Sequence, residues 1–491
     1  MIHGINKYIT KRIVLLYCLL PVVLPVAAQQ TSLEDCFRIA SNRNLVMQQS
    51  RASLLARQYH LDVEKQRYLP KIDALASYTY LSRPLEINLS QVRDGIVDGS
   101  SRQAVNAANT VYKEITGNDL SSAAQNSLYN TSRNIIGGIY PDYNPPLSRQ
   151  SYFLAGLALR QPVYLGNKIT AARNLAESEV ASGIINTQLV EKDADYAIAM
   201  QYIRILYLNN MLYTQQEVVN AFISNDNYGE QMVKNQVLAP YQKSWTKVLL
   251  SQARTFYNNL QMDKTNAIIE LNKLLGVPLD SVLTITGKLV YNTPGVLQEN
   301  NDFWQNNAAY QLIQSKIATA VTAEKIARSF SLPNIFAIGN LNLYQHQLPV
   351  TIAPWMVGLE MQWNIFNGTQ TQKRKKAAQQ LVEEVKLAEE NTRQSLQMQL
   401  AVAKNKIQAA QNEVNTTDSA RQEIATTRRL INERVMNQLS SLKDLNDVIL
   451  MQAEIEKAYH TAVLGYYLAL ATYWNITGAP ERIAGMLRIR N

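Results

Sequence analysis

Trp355-Met356-Val357-Gly358-Leu359-Glu360-Met361-Gln362-Trp363-Asn364-Ile365-Phe366-Asn367-Gly368 is the stretch that decides the fold. Alternate residues from Trp355 are Val357, Leu359, Met361, Trp363 and Ile365, and those between are Met356, Gly358, Glu360, Gln362, Asn364 and Phe366. One side is apolar with a Trp near each end, and the other is largely polar. That is the pattern of a strand with lipid on one face and water on the other. A half-buried strand of a soluble sandwich alternates in the same way, so one strand leaves both readings open. Asn367, Gly368 and Thr369 then supply good N-cap residues for a helix.

The same text occurs earlier in the chain. Gly156–Gly166 falls on Gly358–Gly368 at a shift of 202 positions, and Gly276-Val277-Pro278 falls on Gly478-Ala479-Pro480 at the same shift. Leu69-Pro70-Lys71-Ile72 resembles Leu332-Pro333-Asn334-Ile335 at a shift of 263. Matches in one order predict an internal repeat. The first copy covers 29–276 and the second 301–478, with 277–300 as a linker and 479–491 as a C-terminal tail. The difference between the shifts puts a longer insertion in the first copy. In its matching strand, Phe153, Leu157 and Leu159 take the apolar side.

Each copy reads helix, strand, loop, strand, long helix, shorter helix. Leu33–Tyr68 reads as one helix, Ile72–Leu81 and Tyr152–Val163 as strands. A helical run then extends from Gly166-Asn167 to Pro240, with Ile198, Tyr202, Ile205, Leu208 and Leu212 on one side. A further helix ends at Leu275, before Gly276 and Pro278. In the second copy, Thr369–Arg434 alone spans about 100 Å as a helix. Its stripe, read as Leu381, Val385, Ala388, Leu396, Ala403, Ile407, Ala410 and Val414, suits a coiled-coil-like assembly better than one globular core.

Composition sets the remaining limits. The 491 residues are 46% hydrophobic and 18% charged, with a formal net charge of +9 and a mean hydropathy of -0.19. They lack the apolar runs of about 20 residues that a polytopic helical membrane protein needs. Tyr (26) far exceeds Phe (8) and Trp (5), which favours amphipathic surfaces. Lys7, Lys11 and Arg12, the apolar run 13–24 and Val26-Ala27-Ala28 form an export leader over 1–28. Beyond it, Cys36 is the sole cysteine, and His60, His346 and His460 are scattered. No nucleophile, metal or phosphate motif is present, so no enzyme activity, cofactor, metal or nucleic-acid partner is expected. Four strands cannot close a barrel, and open edges are not tolerated in lipid. The chain must therefore oligomerise: two copies give eight strands with a filled interior, and three give twelve with room for a pore, so counting favours three or more.

Here the chain resembles the TolC-like outer-membrane efflux proteins, over almost all of its length past residue 28. The resemblance rests on the duplicated layout and on the opening Ser32-Leu33-Glu34-Asp35-Cys36 with Ala40 and Asn44. It also rests on the strand-to-helix turns and on Asn437–Asp447, which is similar to the family's helix-hairpin tip. The family implies a mainly α fold with membrane β: a homotrimer whose twelve-stranded transmembrane β-barrel, four strands per chain, continues into an α-helical coiled-coil barrel. It implies a cell outer-membrane location extending into the periplasm, in contact with outer-membrane lipid. It also implies passive export of cargo received from a periplasmic adaptor (membrane fusion) protein and an inner-membrane pump of RND, ABC or MFS type. The cargo stays open. A periplasmic coiled-coil adaptor or scaffold is the alternative, and it has no use for lipid-facing strands.

Residues carry over one by one. The family's constricting carboxylates fall on Asp444 and Asp447, three apart and so on one helix face. Three copies would converge six carboxylates in a ring that favours cations; the other reading is a solvated helical face. The turn glycine of the family is Gln438 here, and the Tyr and Arg that lock the closed aperture in its best-known member fall on Val435 and Ser440. The adaptor contact would lie at Val237, Leu238, Ala239 and Pro240 and at Leu439, Ser440, Ser441 and Leu442. Lys373-Arg374-Lys375-Lys376 faces phosphate headgroups or is a solvated cluster. The Asn-, Ser- and Gly-rich segment 85–148 reads as an external loop, either a lid or surface variation.

Overall fold

A computed structural model describes residues 31–142, 145–146, 148–293, 301–329, 331–348 and 352–487. The proposed leader lies outside them. The elements in order are α1 (Leu33–Arg43), α2 (Leu45–Lys65), β1 (Lys71–Tyr80), α3 (Ser90–Thr116), α4 (Ser122–Ile139) and β2 (Ser151–Tyr164). Then come α5 (Lys168–Lys234), α6 (Pro240–Leu275), α7 (Ala308–Ser329), β3 (Asn334–His346), β4 (Trp355–Gln362), α8 (Gln370–Met436), α9 (Leu442–Ile476) and the short α10 (Ile483–Leu487). They fall into a helical unit (Met1–Glu64, Ala171–Arg328, Gln372–Asn491) and a second unit (Lys65–Thr170, Ser329–Thr371).

In the helical unit, α5 and α8 are each 67 residues long, with bounds 202 positions apart. α6 and α9 begin at the same shift, and α2 and α7 begin 263 apart. Gly276 and Gly478 end α6 and α9 at φ +71° and +84°. A Cβ on either would lie 2.0 Å from Arg43 O or 2.3 Å from Asn306 O, so no other residue fits there. Beside each glycine an asparagine ties the chain across: Asn44 Nδ2 donates to Leu274 O (2.6 Å), and Asn307 Nδ2 to Ile476 O (2.9 Å).

Asn44 also corrects the sequence reading of one helix over Leu33–Tyr68. Its backbone is extended (φ -60°, ψ 123°), and its Oδ1 accepts from Met47 N at 2.9 Å. The side chain caps a new helix, so α1 and α2 are separate.

Two cores hold the helices. In one, Leu33, Cys36 and Ala40 of α1 pack with Ile198, Ile203 and Ile205 of α5, Leu271 and Leu275 of α6, and Val463, Tyr466 and Leu470 of α9. The other joins Phe222, Leu249, Ile424, Val435, Leu442, Leu445 and Ile449. The α5 stripe is the expected one, with Ile198, Tyr202, Ile205 and Leu208 buried. On α8 the expected Leu396, Ala403, Ile407, Ala410 and Val414 are buried, and only the first member differs: Val382 is buried, whereas Leu381 is 55% exposed. The buried residues Val382, Leu396, Ala403, Ala410 and Ile424 recur at multiples of seven, as do Ile407, Val414 and Val435. A sustained seven-residue repeat is the coiled-coil pattern.

The second unit is an antiparallel sheet in the order β1-β2-β3-β4. Tyr80, Ser151, His346 and Trp355 lie at one end, and the chain enters and leaves the helices at the other. Every residue of β4 and all but one of β1 are exposed, so neither face of the edge strands is covered. At the first end, the segment read as a loop is instead a helical hairpin, α3 and α4. Its base is closed by the Glu86–Pro146 bridge and by Leu85 N donating to Ser148 Oγ at 3.0 Å. No described helix is long and apolar enough to cross a membrane.

Candidate functional site

Antiparallel pairing assigns each residue to a face, because directly paired residues point the same way. Leu157 pairs with Leu341 and Leu341 with Trp355; Leu159 pairs with Gly339 and Gly339 with Val357. Leu359 pairs with Ala337, Met361 with Ile335, and Phe153 with Tyr78 and His346. Trp355, Val357, Leu359, Met361, Phe153, Leu157 and Leu159 therefore share one face. Trp363 lies one residue past β4, where its Nε1 donates to Ser331 O (3.1 Å). Tyr78, Tyr80, Phe153, Tyr344 and Trp355 make the rim of this face aromatic at the hairpin end. The Phe153 and Tyr344 rings are 5.9 Å apart. From Trp355 to Trp363 the strand path is about 27 Å, close to the height of a lipid-facing band.

The opposite face carries the charge. Arg160 Nη2 lies 3.8 Å from Glu360 Oε1, and its guanidinium sits 4.0 Å from the Phe336 ring centre. Lys71 pairs directly with Arg160, and Asn340 with Met356. A bulge between Ala155 and Gly156 leaves Leu343 as the extra residue of β3 and keeps both faces in register past it.

In the helical unit, the two hairpin tips share a design. Gln236 and Gln438 both have left-handed backbone (φ +61° and +60°), so Gln438 takes the conformation for which glycine was expected. At the second tip Arg434 donates from Nε to Ser440 Oγ (3.0 Å) and from Nη2 to Leu439 O (3.2 Å). Val435 is wholly buried, and its carbonyl accepts from Tyr228 OH at 3.2 Å. Among the expected contact residues, Val237 and Leu439 are 51% and 66% exposed, whereas Leu442 is 1% exposed. Leu442 Cδ2 would lie 3.0 Å from a Cβ on Gly229, so this leucine supports the tip from inside. Leu238 is likewise packed against the tip core.

The carboxylates are not equivalent. Asp444 Oδ2 accepts from Ser441 N (2.9 Å), and Asp444 N donates to Ser441 Oγ (3.1 Å), a capping box at the start of α9. The bond from Ser441 N first, and then that with the Ser441 hydroxyl, hold the Asp444 carboxyl below the usual range. Asp447 instead meets Lys443 Nζ at 2.9 Å in an exposed pair. Beneath them Asn446, 1% exposed, accepts from Asn225 Nδ2 (3.0 Å) and donates to Thr246 Oγ1 (2.8 Å), joining α5, α6 and α9. Nothing in the sequence singled out Asn446; the Ser441-x-x-Asp444 spacing, by contrast, is a capping signature.

Further along, a groove of about 410 Å³ is lined by Tyr213, Lys288, Arg421, Arg428, Glu456 and His460. Arg421 and Arg428 fall on the seven-residue spacing of Ile407 and Val414. Arg421 bonds Glu456 (3.1 Å) and Arg428 bonds Gln452 (2.9 Å). His460 is held neutral. Asn210 Oδ1 accepts from Leu289 N (3.1 Å) and Asn210 Nδ2 donates to Leu289 O (2.8 Å), which fixes the amide. Its second N–H therefore points at His460 Nδ1 (3.3 Å), leaving Nε2–H to donate to Thr214 Oγ1 (3.2 Å). Burial first, then Arg421 and Lys288, pushes this imidazole down to about 4. Among the described residues no cluster of metal-ligating side chains occurs.

No family model and no curated protein matches the sequence. Solved structures do match. The outer membrane protein VceC of Vibrio cholerae aligns with 91% of this chain and 96% of its own, at 14% identity and a TM-score of 0.65. The Campylobacter jejuni CmeC outer membrane channel aligns over 93% and 90% at 13% identity and 0.68. The open state of the Neisseria gonorrhoeae MtrE outer membrane channel aligns over 92% and 89% at 15% identity and 0.67. At such identities the likeness is one of backbone, and on that ground the chain has the TolC-like outer-membrane channel fold.

Proposed function

We propose that the chain is one subunit of an outer-membrane channel that passively exports cargo handed on by a periplasmic adaptor and an inner-membrane pump of RND, ABC or MFS type. The observation that carries this reading is the sheet, with one apolar face rimmed by aromatics, one charged face and two unpaired edges. In water, uncovered apolar strands with open edges aggregate; in lipid, they are satisfied only by closing a barrel with other copies. Three copies closing twelve strands is the arrangement we favour, with Trp355, Val357, Leu359 and Met361 toward lipid and Arg160 and Glu360 toward the pore. Residues 1–28 then serve as the export leader, and the paired elements of the helical unit are two copies of one repeat. Val237, Pro240, Leu439 and Ser441 are the exposed adaptor contacts, and Asp447 with Asp444 forms the constriction.

The test is planar-bilayer conductance of the detergent-purified oligomer. Discrete, long-lived conductance steps are expected. A mature protein that purifies as a stable monomer from the soluble periplasmic fraction would overturn the channel and favour the coiled-coil scaffold.

A further inference from the structure

The barrel itself does not require the α3–α4 hairpin, since β3 and β4 are joined at the same end by 347–354 alone. The hairpin is nevertheless well built. Gly117 ends α3 at φ +78° and Ser121 caps α4. Asn109 clasps the turn, donating to Asp119 (2.9 Å) and accepting from Leu120 N (2.7 Å). Val97, Ser101 and Val105 form the buried seam. Arg93 secures the base, donating to Tyr140 O (2.5 Å) and pairing with Asp142 (3.2 Å).

The two sides of that seam differ. On one lie Asp94, Asp98, Arg102 and Lys113. On the other, Ile96, Ser100, Ala104, Ala107, Val111 and Ile115 step by 4, 4, 3, 4 and 4, a helical stripe whose charges are confined to its ends, Arg93 at the base and Glu114 near the turn. Ile96, Val111 and Ile115 are 44%, 56% and 78% exposed. Three such residues along one helix flank form an uncovered surface that a solitary helix pair does not need.

We propose that this flank packs against the hairpin of the next copy of the chain, so that the hairpins together narrow the channel's outer mouth. The inference rests on the channel reading. The occupant follows from position: the hairpin rises directly from β1, an edge strand whose free side must pair with β4 of a neighbouring copy. The hairpin therefore stands at the boundary between copies, and the small residues Ser100, Ala104 and Ala107 allow close helix approach. The charged flank remains toward solvent.

Single cysteines test it, because Cys36 is fully buried. Ile96→Cys, Val111→Cys and, as control, Arg102→Cys would be placed in the purified oligomer and treated with a maleimide and with a short bismaleimide. Burial of an Ile-sized side chain predicts labelling about tenfold or more slower at 96 and 111 than at 102, with copy-to-copy cross-links from 96 or 111 only. Equal labelling at all three positions overturns the proposal, and so does protection without cross-links, which would mean lipid or detergent covers the flank. Conductance of the same preparations separates the two readings. A conducting oligomer with a freely labelled flank sinks only the hairpin contact, whereas a monomer sinks the channel.

Discussion

Single residues decide what each carboxylate can do. Asp444 spends one oxygen on the first turn of its own helix, while Asp447 is held only by an exposed lysine that solvent and salt screen. In the channel, multivalent cations should block conductance, and Asp447→Asn should weaken that block more than Asp444→Asn. Titrating block by a trivalent cation in planar bilayers reads this directly; an unchanged block in the double variant removes the ring. His460 makes a second prediction. Its folded pKa of about 4 lies below the ordinary 6.5, so below pH 6.5 the unfolded chain binds a proton that the fold refuses. The stability this neutral imidazole contributes is complete above pH 6.5 and drains away as pH falls toward 4. It amounts to about 3 kcal/mol at most. Melting temperature against pH should flatten over that window in His460→Gln, which keeps a hydrogen-bonding amide but cannot titrate. A profile as steep as the wild type's would place the titrating group elsewhere.

Elements were legible where their pattern was regular. The β4 alternation, the α5 stripe and the Gly-then-Pro stop at 276–278 each state one geometry, and the chain adopts it. Others were not. Segment 85–148 reads as loop because Asn, Ser and Gly are weak helix formers; the short Val97–Ser101–Val105 seam that makes it helical carries little signal. The α8 stripe is buried from Leu396 to Val414 as its spacing predicts, and only its first member misses: Val382 packs inward while Leu381 faces out, since the seven-residue spacing to Leu396 rather than side-chain size sets the phase. The break at Asn44 needed the distant Leu274 carbonyl, which no local window contains. The strand whose reading was clearest also gives the sharpest element test. Leu359 lies midway between Trp355 and Trp363 on the apolar face, so Leu359→Lys should cost about 2–4 kcal/mol in a bilayer. Met356→Lys, on the charged face, should leave assembly intact and alter ion selectivity instead. Comparing heat-resistant oligomer on gels with reversal potentials in bilayers distinguishes the two, and equal effects would mean the faces are misassigned.

At the scale of the whole molecule, the proposed channel rests on surfaces that would be completed by other copies. Sequence shows this only indirectly, as four strands too few to close. Co-expressing tagged and untagged chains should give, on unheated gels, a ladder with one more band than there are copies in the assembly. A single band for each chain would mean that copies do not mix. The sheet that demands partners also sets a timetable. Helices α5, α6, α8 and α9 can bury their stripes as soon as one chain folds, but β1 and β4 remain unfinished until neighbours arrive. Between those moments, on the channel reading, each newly made chain would carry an adhesive ribbon through an aqueous compartment. In the proposed channel, yield would therefore depend on how quickly siblings meet before those edges meet anything else.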